Sequence, residues 1–176
     1  MARVRRDDWI RTGLELLADE GEQALTVHRL CEVMGKTTGS YYHHFVDHSR
    51  FRSHVIAAWS DEAMARCEVA TSVDEGEWRD RRWTLYTSLT DLSVERAMRI
   101  WAWREEEAFQ AVERLDQRRV AFLGEVYMSA GIHPDEALTL AWADYSAMIG
   151  ALLVSAPDEV QRKQTQLIET RLESVL

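Results

Sequence analysis

Residues 35–45, GKTTGSYYHHF, crowd hydroxyl side chains, two adjacent histidines and two glycines into eleven positions. Hydroxyls and imidazoles of this kind hydrogen-bond phosphate oxygens and base edges, and glycine lets a backbone come close to a groove. If Tyr41 and Phe45, four apart, turn inward, Thr37, Thr38, Gly39, Ser40, Tyr42, His43 and His44 are left on the outside. A metal site is the competing chemistry, because His43, His44, His48 and His54 fall close together. No cysteine or carboxylate set completes a ligand shell around them, so no metal or other cofactor is expected.

The elements that position this stretch follow from the helical period that dominates the chain. A first helix fits residues 4–19, with Ile10, Leu14 and Leu17 on one stripe. A second starts after Thr26, a good N-cap, with Val27, Leu30, Cys31 and Met34 in register, and Gly35 stops it. Thr37 then caps a short third helix, and a long fourth runs from about Asp47 to Ala70 without proline or glycine. Two short helices joined by a tight glycine turn make a helix-turn-helix. The polar stretch is then a DNA-reading surface, with Lys36 contributing a charge from the turn.

Charge distribution is consistent with this reading. The chain has 176 residues and a net charge of −9. Residues 1–54 balance eight basic against eight acidic groups and hold five of the six histidines, so the remainder carries the whole deficit. A neutral, histidine-bearing N-terminal unit is attached to an acidic body. No apolar run reaches the ~18 residues of a membrane span, and the N-terminus turns acidic before a signal-like core forms. A cytoplasmic protein with no membrane partner is expected. Cys31 and Cys67 stand apart without a CxxC pattern and read as buried free thiols.

The stretch ALTVHRLCEVMGKTTGSYYHHFVDHSRFRSHV, residues 24–55, with a leading helix before it, resembles the N-terminal signature of the TetR family of bacterial transcriptional regulators. The resemblance implies a homodimer that binds palindromic operator DNA, usually as a repressor, and lets go when a small molecule enters the C-terminal domain. Carried over position by position, it implies that Thr26 caps the second helix against a phosphate, that Thr37, Thr38, Gly39, Ser40 and His43 face bases, and that Tyr42 contacts the DNA backbone. Two positions depart from the pattern: His48 stands where the family often has lysine, and Lys36 where it usually has a small apolar residue. An imidazole there weakens a phosphate clamp at neutral pH, and operator affinity is expected to depend on pH.

The whole chain is expected to be all-α, with a helix-turn-helix domain over residues 1–46 and an effector-binding and dimerisation domain over 47–176. Beyond the fourth helix, Trp78, Leu85, Leu89 and Leu92 recur at helical spacing, followed by helices through Met98–Trp103 and Phe109–Tyr127. HPDEAL and APDEVQ announce the last two helices, each with proline near N1 and acids in the first turn. Residues 137–154 are apolar almost all round, and such a helix must be buried all round. A second chain must supply part of that cover, so the last two helices are expected to form a homodimer.

Six of seven tryptophans follow residue 55. Trp83, Tyr86, Trp101, Trp103, Tyr127, Trp142 and Tyr145 are candidates to line a cavity for an apolar or aromatic effector, some of them being core instead. Asp144, alone in an apolar helix, must be paired: with a cation across the dimer, or with a ligand group. Arg79, Arg81, Arg82, Arg96, Arg99 and Arg104 read mainly as a solvated face, with an anionic ligand as the alternative. No P-loop, GxSxG or HExxH occurs. The reading is a ligand-responsive DNA-binding regulator and no enzyme; a regulator without an inducing ligand, or an enzyme using the aromatic cavity, are the rivals.

Overall fold

The computed structural model describes residues 4–72, 76–89 and 91–154, together with residues 163, 166, 167 and 170. The described residues form helices and no strands. In chain order they are α1 (Arg6–Glu20), a single 3-10 turn at Glu22–Ala24, α2 (Val27–Met34), α3 (Thr38–His44), α4 (His48–Thr71), α5 (Trp78–Thr87), α6 (Leu92–Ala102), α7 (Glu106–Ser129) and α8 (Pro134–Leu153). No helix among them is long and apolar enough to cross a membrane.

Helix ends follow local chemistry. The Thr26 side chain accepts from the Arg29 amide at 3.1 Å, and that of Thr37 accepts from the Ser40 amide at 3.3 Å. Each satisfies one amide that the first helical turn leaves without a carbonyl. Gly35 ends α2 at φ 60° and ψ 40°, a left-handed conformation that a Cβ disfavours, and the Lys36 amide returns to the Cys31 carbonyl at 2.9 Å. Asp47 accepts from the Arg50 amide at 2.8 Å and starts α4. Pro134 sits in the first turn of α8, followed by Asp135 and Glu136. One expected helix divides: α5 closes at Thr87, and Asp91 caps α6 by accepting from the Val94 amide at 3.1 Å. Leu89 and Leu92, which share a stripe with Trp78 and Leu85 by spacing alone, therefore fall outside α5.

The chain packs as two compact units, Met1–Ala65 with Asp91–Leu115, and Arg66–Thr90 with Asp116–Leu176. Helices α4 and α7 each pass from one unit into the other.

In the first unit α1 packs against α2 and α6, and α2 against α3. Its core holds Trp9, Leu16, Leu17, Leu25, Leu30, Tyr41, Phe45, Phe51 and Val55, all at most 5% exposed. Gly13 of α1 is buried where α4 passes close by: an added Cβ would lie 2.8 Å from the Phe51 ring tip and 2.9 Å from a Val55 methyl. Gly13→Ala gains ~1 kcal/mol of helix propensity but overpacks this contact at a cost of ~1–3 kcal/mol. A lower urea midpoint is therefore expected, and an unchanged or higher one would show that α4 yields.

In the second unit Leu85, Phe122, Leu123, Val126, Tyr127, Ile132, Ala141 and Tyr145 are buried. On α8, Ala137, Ala141, Asp144 and Tyr145 face this core, while Leu138, Trp142 and Leu153 are about half exposed within the single chain. Of the residues expected to form the last helix, Val160, Ile168, Leu172 and Val175 lie outside the described residues.

Candidate nucleic-acid interface and the Asp144 cluster

The candidate reading surface is built on α3. Tyr41 is fully buried in an aromatic nest, with its ring centroid 5.4 Å from Trp9, 5.1 Å from Phe45 and 5.6 Å from Phe51. Because Tyr41 and Phe45 occupy one face, the opposite face carries Thr37, Thr38, Gly39, Tyr42 and His43, all exposed, with Ser40 and Lys36 half-buried beside them. Tyr42 is 54% exposed and packs edge-on against Tyr41, which fixes its direction. Gly39 has no internal reason to be glycine: it is helical, and a Cβ there would meet only the Thr37 hydroxyl, at an ordinary 3.8 Å. The missing side chain leaves space on the outside of the helix, where another molecule can approach.

The hydroxyls of Thr26 and Thr37 are used as caps, so each holds the start of its own helix. Arg29 joins α2 to α1 through Glu20 at 2.6 Å and also pairs with Glu32 at 2.8 Å. The unit is tied to the start of α7 by Arg52–Glu105 at 2.7 Å and by the Ser53 hydroxyl donating to Glu107 at 2.6 Å. Arg52 also lies over the Trp101 ring, 4.8 Å from its centroid. His48 is not on the exposed face. Its Nδ1 lies 2.9 Å from the Tyr41 hydroxyl, its ring stacks on Phe51, and burial pushes its pKa down.

The eight candidate effector residues divide between the units. Trp101, fully buried, and Trp103, 88% exposed, belong to the first. In the second, Tyr127, Asp144 and Tyr145 are buried, Tyr86 is half-buried, and Trp83 and Trp142 are exposed. Three of these six come together. Asp144 of α8 receives both Nε and Nη2 of Arg82 at 2.7 Å, the Tyr127 hydroxyl at 2.5 Å, and the Tyr86 hydroxyl. The cation Asp144 requires is thus in its own chain, on α5. Burial and the adjacent carboxylate raise the pKa of both tyrosines, so both remain hydrogen-bond donors. Tyr145 instead donates to Asp116 at 2.5 Å and accepts from Arg119 at 3.2 Å.

Solved structures share this arrangement of helices over nearly its whole length. A TetR transcriptional regulator from Legionella pneumophila is 14% identical with a TM-score of 0.77, covering 97% of this chain and 99% of that one. A transcriptional regulator from Rhodococcus sp. Rha1 is 16% identical with a TM-score of 0.75, over 98% and 96%. Reduced NemR of E. coli is 18% identical with a TM-score of 0.68, over 97% of each chain. This is the TetR-family fold. No family model and no curated protein sequence matches the chain.

Within the TetR fold, sequence reasoning missed two features. Arg81, Arg82 and Arg99, expected on a solvated face, are buried; Arg79, Arg96 and Arg104 are exposed. Arg99 pairs with Glu95 at 2.7 Å, and Arg81 lies over the Phe122 ring and donates to Ser129. The acid four residues before Arg99 is a sequence signal for the first pair. Nothing local marks Arg82 for Asp144, 62 positions away. The second omission is the Tyr41–His48 contact, because the two residues lie on different helices.

Proposed function

We propose that this chain is a DNA-binding transcriptional regulator that acts as a homodimer on a palindromic operator, most simply as a repressor, and that it is not an enzyme. The observation that carries the reading is the outer face of α3. There Thr38, Gly39, Tyr42 and His43 project from a helix whose inner face is locked, and Gly39 leaves room that the fold itself does not use. A rigid element presenting small hydroxyls, a glycine and an exposed tyrosine suits a DNA groove, with Lys36 supplying charge from the turn. Names borne by the structural neighbours agree with this reading.

The half-exposed apolar side chains of α8 favour a second chain as their cover, and two reading helices then meet two half-sites. The effector is proposed to be a small apolar or aromatic molecule that meets the tryptophan- and tyrosine-bearing helices of the second unit. It releases DNA by favouring the arrangement of reading helices that does not fit the operator spacing.

The test is binding to duplexes selected from random-sequence DNA, at several salt concentrations. Saturable binding of two chains per palindrome is expected, weakening steeply with salt. Thr38→Ala should weaken binding by about threefold to a hundredfold, mainly at one base position of each half-site, and Tyr42→Phe should weaken all sequences alike. Selection that yields no preferred sequence would remove the proposal.

A further inference from the structure

His48 opens α4 directly after the reading helix. Its ring lies flat on Phe51, with centroids 5.7 Å apart and planes at 20°, and it faces the Tyr41 hydroxyl through Nδ1 at 2.9 Å. The Leu25 backbone, just before the α2 cap, also acts on the ring and favours its proton. A neutral imidazole has one donor nitrogen and one acceptor nitrogen. With its proton on Nε2, the neutral ring leaves Nδ1 to accept from the Tyr41 hydroxyl.

We propose that His48 is a positioning residue for the reading helix: its neutral ring clasps Tyr41 of α3 to α4, and proton uptake by the ring loosens α3 and weakens DNA binding in acid. The inference rests on the reading of α3 as the DNA interface. Both nitrogens of an imidazolium donate. The Tyr41 oxygen would then have to accept, and its own O–H would lose the ring nitrogen as acceptor.

The surroundings oppose the charge. Burial is the largest influence and lowers the His48 pKa below its ordinary 6.5; Arg52 on the same helix acts in the same direction, while the Leu25 backbone and Asp47 favour the proton. Tyr42, Asp47 and Cys31 of α2 face Tyr41, whose own pKa burial raises, so its hydroxyl stays protonated. The sign follows. Above about pH 6.5 both folded and unfolded chains hold His48 neutral; as pH falls below that, the unfolded chain takes the proton first and stability declines.

A phosphate-contacting His48 would do the reverse, because an imidazolium strengthens binding to DNA. The variant that separates the two is His48→Gln, whose amide offers one acceptor and one donor without titrating. Duplex DNA selected by the wild type at about pH 7.5 is titrated with both proteins down to about pH 5.5. The other five histidines, His28, His43, His44, His54 and His133, are the same in both proteins, so the difference between them isolates His48. Wild type should lose about threefold more affinity than His48→Gln over this range, with near-equal affinity at its upper end.

Urea unfolding of the full-length proteins over the same range is the DNA-independent readout. The midpoint of wild type should fall more in acid than those of His48→Gln and Tyr41→Phe. Superimposable unfolding profiles, or a wild-type affinity that rises relative to His48→Gln in acid, would overturn the clasp. If no duplex is selected but the unfolding profiles diverge, the clasp stands as a structural device and the reading of α3 as a DNA interface falls.

Discussion

Asp144→Leu is expected to destabilise the protein by about 3–5 kcal/mol, read as a fall in the urea midpoint followed by tryptophan fluorescence. The magnitude comes from what the substitution leaves behind. Arg82, only 5% exposed, loses the carboxylate that meets its guanidinium with two parallel bonds, and Tyr86 and Tyr127 lose the oxygen to which both donate. Each buried donor left without an acceptor costs about 1–3 kcal/mol, and an uncompensated buried charge costs more.

The pair itself contributes far less than the cost of breaking it, because both charges were taken out of water to form it. Arg82→Met combined with Asp144→Leu should therefore recover the part of the loss that comes from the buried guanidinium, a non-additive result, while the part due to the Tyr86 and Tyr127 hydroxyls remains. If the single variant costs less than about 1 kcal/mol, water reaches the cluster and the residues are candidates for ligand contact rather than a structural joint. In either case α5, α7 and α8 meet at this carboxylate.

Trp9→Ala is the second large effect, expected at about 3–5 kcal/mol with loss of specific DNA binding. Trp9 is fully buried and stands edge-on to Tyr41, the buried residue of α3. Its removal opens a cavity beneath α3, and the surrounding rings close it only in part. The indole Nε1 has no hydrogen-bond partner among the described residues. Trp9→Phe therefore keeps most of the apolar contact while deleting an unsatisfied donor, and should cost less than about 1.5 kcal/mol and retain DNA binding. Equal effects of the two substitutions would mean that Trp9 supports α3 through its N–H rather than through its bulk.

The helix-turn-helix was legible in the sequence in unusual detail because its grammar is short-range. A cap joins residues three apart, a left-handed glycine acts on the helix that it ends, and an inward stripe is spaced by the helical period. Thr26, Gly35 and Thr37 each do what their positions announce, and Tyr41 and Phe45 turn inward together. The division between α5 and α6 was not legible from apolar spacing, since Leu89 and Leu92 continue the stripe of Trp78 and Leu85. The aspartate cap at residue 91 decided it.

Side-chain roles followed the same rule. That Asp144 needed a partner was plain from its surroundings in the sequence; that the partner is Arg82, and that two tyrosines complete the set, required α5 and α7 to be folded against α8. His48 shows the opposite failure, where a residue type and position pointed to solvent and phosphate while the packing of α4 beside α3 turned its ring onto Phe51 and Tyr41.

By itself the sequence determined the all-α class, the helix-turn-helix, its caps and its outward face, because these depend on interactions within a turn or two of chain. The tertiary structure alone decided which arginines are buried, which cation neutralises Asp144 and which face His48 serves. The Arg82–Asp144 and His48–Tyr41 pairings join residues on different helices, and only packing sets the distance and the solvent exposure on which their energies depend.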